Sequence, residues 1–191
     1  MEEIPRPENS IEIKKEKTYL YHMVPEDMQG DILHPLNSLK DIHPELYLSK
    51  VGKYDDRKHI LEQFIPTLKC LWNDVLHLSS VNPKDLQKAL VEAGMHPIEM
   101  KFYQIDPNLL DPQKTTIYIY PEKGIKDSNN PKDFLEYDSN QLSEHSIISQ
   151  VTKDYYKEKF SNQEKPLLFL GIPHVLHKGS IDIADLPVIT V

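Results

Sequence analysis

The sequence predicts a single domain of the α+β class with a mixed, mainly antiparallel sheet, and three observations carry that prediction. A chain of 191 residues fits around one hydrophobic core without splitting. Segments with strand patterning and segments with helical patterning are partly segregated, where a βαβ series would alternate them. Fifteen prolines against six glycines imply elements with fixed ends and stiffened loops.

The elements follow in order. Residues 1–17 are polar and weakly patterned, a flexible or edge-lying lead-in, and the domain proper spans 18–191. Thr18 to Val24 is aromatic and β-branched and stops at Pro25, so it reads as a strand. Gly30 permits a turn. From 37 to about 64 the pattern is helical and cut into pieces: Asn37 or Ser38 caps the first, His43-Pro44 opens the second, and Asp55 and Asp56 start a third whose face carries Ile60, Leu61 and Phe64.

Asp74 to Ser79 reads as a second strand. Asn82-Pro83 is a helix start, a cap followed by proline in the first turn, and Gly94 is the stop. Ile98 to Ile105 alternates as a strand and ends at Asp106-Pro107, and Thr115 to Tyr120 carries the strongest β signal in the chain. The Asp-, Asn-, Lys- and Pro-rich stretch to about 134 reads as a long exposed loop. Ser149 to Phe160 reads as a helix, and Leu167–Leu170 and Val188–Val191 as closing strands.

Composition excludes several classes. Hydrophobic residues at 39% and charged residues at 27% place the chain among globular proteins rather than disordered ones. A net charge of −8 argues against a general nucleic-acid binder, and the Lys14, Lys15 and Lys17 group reads as part of a solvated lead-in. A lone cysteine, Cys70, forms no internal bridge, and its apolar neighbours predict a buried thiol. The acidic N-terminus lacks the pattern of a signal peptide, and the apolar runs are too short for a membrane span, so the expected location is cytoplasmic with no membrane partner.

The chain has no phosphate-binding P-loop, no dinucleotide glycine fingerprint, no nucleophile elbow and no zinc helix. His174 and His177 are its only close histidine pair, and with no third ligand at a known spacing no metal is expected. Three segments are more polar than the elements around them: Tyr21-His22 within an apolar strand, Trp72-Asn73-Asp74 leading to His77, Ser79 and Ser80, and Leu170 to Ser180 with two histidines and a lysine between glycines. A polar side chain in such a place is either satisfied within the core or faces a cleft. Taken singly, His22 reads as a core histidine, Asn73 and Asp74 as a turn or cap, and 170–180 as a surface loop.

The order of these features resembles the NAD-using ADP-ribosyltransferase-like families. Tyr21-His22 stands on an early strand, a helical stretch follows, and a strand then ends in Leu78-Ser79-Ser80. Phe102-Tyr103-Gln104-Ile105-Asp106-Pro107 comes next, and Glu164 precedes Leu167-Leu168-Phe169-Leu170-Gly171-Ile172-Pro173. The resemblance covers most of the chain from residue 18 and rests on short motifs. It implies a split sheet with NAD, as substrate, in the cleft. His22 would hydrogen-bond the nicotinamide ribose, and Ser79 or Ser80 would shape the nicotinamide side, with Tyr21 and His77 beside them. Glu164 would stabilise the oxocarbenium-like transition state, and with His22 it is the expected catalytic pair. Glu144 and Glu158 compete with Glu164 for that role. Met23 and Val24 stand where the family often has a glycine and a hydroxyl residue, and arginine occurs only at positions 6 and 57.

Three functional expectations follow. The first is an ADP-ribosyl transfer from NAD to an unidentified protein or nucleic-acid acceptor. The second is a non-catalytic nucleotide- or protein-binding module on the same fold. The third is a hydrolase or nuclease using His77, His174 and Asp74 in acid–base roles.

Overall fold

The computed structural model describes residues 17–52, 59–120 and 129–191. Its strands are β1 (Leu20–Met23), β2 (Ile32–Leu33), β3 (Phe64–Ile65), β4 (Cys70–Leu71), β5 (Leu76–Leu78), β6 (Lys101–Ile105), β7 (Thr115–Tyr118), β8 (Phe134–Glu136), β9 (His174–His177), β10 (Ile181–Asp182) and β11 (Val188–Thr190). The α-helices are α1 (Leu39–Ile42), α2 (Pro44–Val51), α3 (Pro83–Glu92) and α4 (Gln150–Ser161). The α+β class is as expected, and the strand pairings are antiparallel.

Two sheets organise the molecule. The first has the order β1-β6-β11 and the second β5-β9-β7-β8. They touch through one isolated antiparallel bridge, Tyr21 to Ser79. There the Tyr21 N–H donates to the Ser79 carbonyl at 2.8 Å, and the Ser79 N–H returns to the Tyr21 carbonyl at 3.0 Å. Beyond it no further pairing joins β1 to β5, and the two sheets part.

Apolar side chains on alternate positions explain why the second sheet is covered on both sides. Ile117, Val175 and Leu78 pack into one core with Leu20 and Ile105 of the first sheet. Tyr118, Leu176 and Phe134 pack into another with Ile65 and Trp72 from the β3–β4 hairpin and the turn after it. Helices α3 and α4 cover the first sheet, bringing Leu86, Leu90 and Tyr156 against Tyr21 and Phe102.

The ends of α3 and α4 are chemically specified, whereas neither Asn37 nor Ser38 caps α1 through its side chain. The Asn82 side chain accepts from the Lys84 N–H at 3.0 Å, with Pro83 in the first turn, as the sequence predicts. Gly94, at φ 115°, closes α3: its N–H reaches the Val91 carbonyl and the Met95 N–H reaches Leu90. Helix α4 ends in the same motif with Gln163 in the left-handed position, φ 60°. The Gln163 and Glu164 N–H groups bond the Phe160 and Lys159 carbonyls.

Several expectations are corrected. Leu167–Leu170 is not a strand but a pair of turns, the Leu170 N–H reaching Leu167 and the Ile172 N–H reaching Phe169. The 174–177 segment is not a surface loop: β9 is the strand between β5 and β7, and all four of its residues are buried. Phe64 belongs to β3 rather than to a third helix, whose expected start at Asp55 and Asp56 lies outside the described residues. The 1–16 lead-in and residues 121–128 of the expected long loop also lie outside them, and that loop region is followed by β8 from Phe134. Cys70 is buried as predicted, and burial raises its thiol pKa. No helix among the described residues is long and apolar enough to cross a membrane.

Candidate functional site

The gap where the sheets part opens into a cleft of about 800 Å³. That volume lies within the range of small-molecule sites. β1 supplies His22, β5 supplies His77 with Ser79 at its exit, and β9 supplies His174. Trp72 and Gln63 enter from the β3–β4 side, Tyr120 from the end of β7, and the Leu167–Leu170 turns close one edge.

The imidazoles have fixed roles. A backbone carbonyl only accepts, so His22 Nδ1–H donates to the Met23 carbonyl at 2.7 Å, and His77 Nε2–H donates to the Trp72 carbonyl at 2.9 Å. Burial pushes the pKa of His22 and of His77 down to about 4, and that of His174 to about 3. For His174 the neighbouring His77 contributes in the same direction, their ring centroids standing 5.9 Å apart. All three rings are therefore neutral at pH 7, and His22 Nε2 and His77 Nδ1 are bare acceptors.

An aromatic wall surrounds them. Trp72 sits 4.7 Å from His77 and 5.3 Å from Tyr118, centroid to centroid, and Tyr120 sits 5.8 Å from His174. The Gln63 side chain is buried at the cleft, and its Nε2 has no hydrogen-bond partner among the described residues. None of the described lining residues is Asp, Glu, Lys or Arg. The lining thus offers ring faces, hydroxyls and neutral imidazole acceptors. That set recognises an uncharged, ring-bearing, hydroxyl-rich group better than a phosphate.

The residues singled out in the sequence divide into two sets. His22, His77, Ser79 and Tyr21 all line the cleft. Ser79 Oγ accepts from the Val81 N–H at 3.1 Å, and much of Tyr21 is committed to the core beneath α3 and α4. Ser80 points elsewhere, its hydroxyl donating to the His145 carbonyl at 2.9 Å. Glu164 is likewise not among the lining residues. The motif that ends α4 fixes its backbone, and its carboxylate pairs with Lys159 at the surface.

Asp74 has a structural task. Its oxygens accept from the Leu71 N–H and from Asn37 Nδ2, both at 2.7 Å, which holds the turn carrying Trp72. His174 and His177 lie three positions apart on a strand and so face opposite ways, His177 bonding Thr115 at 2.9 Å.

Gln63 and the Leu167–Leu170 turns are site residues that the sequence does not point to. Gln63 carries no sequence signal, because only the β3–β4 hairpin brings it to the cleft.

No family model matches this chain, and neither curated proteins nor solved structures gave a match.

Proposed function

We propose that the cleft takes the uncharged ribose and ring portions of NAD, the pyrophosphate staying in solvent at its open mouth, and that the chain is an ADP-ribosyltransferase-like protein passing ADP-ribose to a separate acceptor. The observation that carries this reading is the parting of two antiparallel sheets at the Tyr21–Ser79 bridge, with His22 and Ser79 on the walls of the gap it opens. In this reading His22 Nε2 accepts a hydrogen bond from a hydroxyl of the nicotinamide ribose, since the Met23 carbonyl holds the proton on Nδ1. Trp72 and Tyr120 supply ring faces for the base or the nicotinamide.

Cleaving the glycosidic bond builds positive charge on the ribose, which a fixed carboxylate stabilises. Neutral imidazoles do not oppose that charge. Glu164 reaches it only by leaving Lys159, and the turns that follow it in sequence are already part of the cleft edge.

The second reading, nucleotide binding without turnover, is favoured by one observation: the described lining contains no carboxylate.

Heat denaturation with increasing NAD tests the shared part. A ligand bound only to the folded state adds about 2.7 kcal/mol at a hundredfold excess over Kd. A concentration-dependent rise in Tm is expected, smaller in His22→Ala, and no shift at millimolar NAD would remove the transferase reading and favour a module that binds another nucleotide or a protein. Release of nicotinamide separates them. In the transferase reading Glu164→Gln lowers kcat by about 10² to 10³, the usual cost of losing one aimed electrostatic group. Glu144→Gln and Glu158→Gln should leave turnover unchanged, and a loss in either reassigns the carboxylate.

A further inference from the structure

Strand β11 stands at one end of the first sheet, paired with β6 on one side and, among the described residues, with no strand on the other. Along β6, Val191 and Met100 exchange both backbone hydrogen bonds at 3.0 Å, and the Gln104 N–H reaches the Pro187 carbonyl at 2.8 Å. Bonded and non-bonded pairs alternate in an antiparallel ladder, so Ile189 is bonded to Phe102. By the same alternation Val188 and Thr190 turn their N–H and C=O groups away from β6. No hydrogen bond to those outward groups is made among the described residues.

Sheet edges are commonly guarded by charged side chains, by a bulge or by proline on the open side. β11 has none of these: its residues are Val, Ile and Thr in unbroken register with β6, and Val188 is 50% exposed. Pro187 precedes it, but the N–H that proline lacks would have pointed toward Gln104 rather than outward. Lys101, opposite Thr190 on β6, pairs with Glu99 at 3.1 Å, which leaves the neighbouring row neutral. The end strand of the other sheet, β8, differs in carrying an exposed Glu136.

We propose that β11 is a docking edge for a second copy of this chain, the two β11 strands pairing antiparallel across a two-fold axis so that the first sheet continues from one copy into the other. The groups on offer choose the register. With the axis through Ile189, Val188 of each copy faces Thr190 of the other, and every such pair exchanges two hydrogen bonds. β-branched side chains then stand opposite one another, Val188 to Thr190 and Ile189 to Ile189, with no like charges in contact. An unrelated peptide has to bring a matching uncharged segment, whereas a second copy brings it by symmetry. The contact is small, so the association belongs to the weak, transient class.

Sedimentation of the whole protein at rising concentration should show a reversible monomer–dimer equilibrium. Amide exchange reads where the copies meet: the Val188 and Thr190 N–H groups gain protection as concentration rises, while that of Ile189, bonded to β6, is protected throughout. Two double variants differ only in one sign of charge. Val188→Glu with Thr190→Glu sets glutamate against glutamate across the axis and should weaken dimerisation about tenfold, whereas Val188→Lys with Thr190→Glu sets lysine against glutamate and should restore it. Both carry the same change beside Lys101, and protection of the Ile189 amide reports that β11 is still seated on β6. If either variant unfolds, the exchange pattern of the unaltered protein decides alone. The proposal is overturned by a mass that does not change with concentration, or by a dimer that responds equally to the two variants. It is also overturned if Val188 and Thr190 are already protected in the monomer, which would mean that another part of the chain covers the edge. None of these outcomes depends on whether NAD binds.

Discussion

Lowering the pH from 7 to 5 is expected to destabilise the protein steeply, by about 4 kcal/mol per pH unit where the effect is greatest. His22, His77 and His174 have folded-state pKa values near 4, 4 and 3, against about 6.5 when unfolded. A histidine whose pKa is lowered by folding adds stability that is fully present above the unfolded value. That stability is lost as pH falls from 6.5 toward the folded value, because the unfolded chain binds the proton first. Three such groups give an uptake of about three protons on unfolding, each contributing about 1.4 kcal/mol per pH unit. His177 shifts in the same direction and steepens the dependence. Denaturant midpoints between pH 7.5 and 5 measure the slope, and His174→Phe should reduce it by about one proton. A flat profile over that range would mean that the histidines are not held neutral in a low-dielectric wall.

Leu176→Ala is expected to cost about 2–5 kcal/mol, the usual range for emptying a buried leucine site. Leu176 is 0% exposed and stands between His77 of β5 and Thr116 of β7, packed in the core that also holds Trp72, Tyr118 and Phe134. Ile147→Ala supplies the contrast, since Ile147 is 74% exposed and should change stability by no more than about 0.5 kcal/mol. Urea denaturation with an unchanged m-value reads both. A loss below about 1 kcal/mol for Leu176→Ala would place the 174–177 segment at the surface and remove one wall of the cleft.

The elements legible in the sequence are those whose ends are written locally. Asn82-Pro83 and Gly94 bracket α3 through cap chemistry that needs no tertiary partner, and β1 and β7 announce themselves by β-branched and aromatic runs. β9 was hidden because His-Val-Leu-His at a strand buried on both faces has polar residues where alternation would place them outward. Only the aromatic wall on one side and Thr115 on the other make those positions tolerable. Leu167–Leu170 misled in the other direction. Four apolar residues in a row fit a buried strand or an apolar turn equally, and the tertiary setting decided for the turn.

The site was legible to the same extent. His22, His77 and Ser79 stood out as polar residues in strand patterns, and the structure gathers them. Glu164 is marked by order along the chain alone, which carries no information about where α4 ends, and Ser80 belongs to the same polar run as Ser79, which does not say where its hydroxyl points. Gln63 and Tyr120 become neighbours of the histidines only through the packing of the hairpin and of β7.

The most direct measurement is a titration of NAD into the protein, followed by the imidazole resonances of its histidines. The account predicts saturable shifts at His22, His77 and His174, which line the cleft together. Unmoved resonances at millimolar NAD, or shifts confined to His34 and His43, which do not line the cleft, would contradict it.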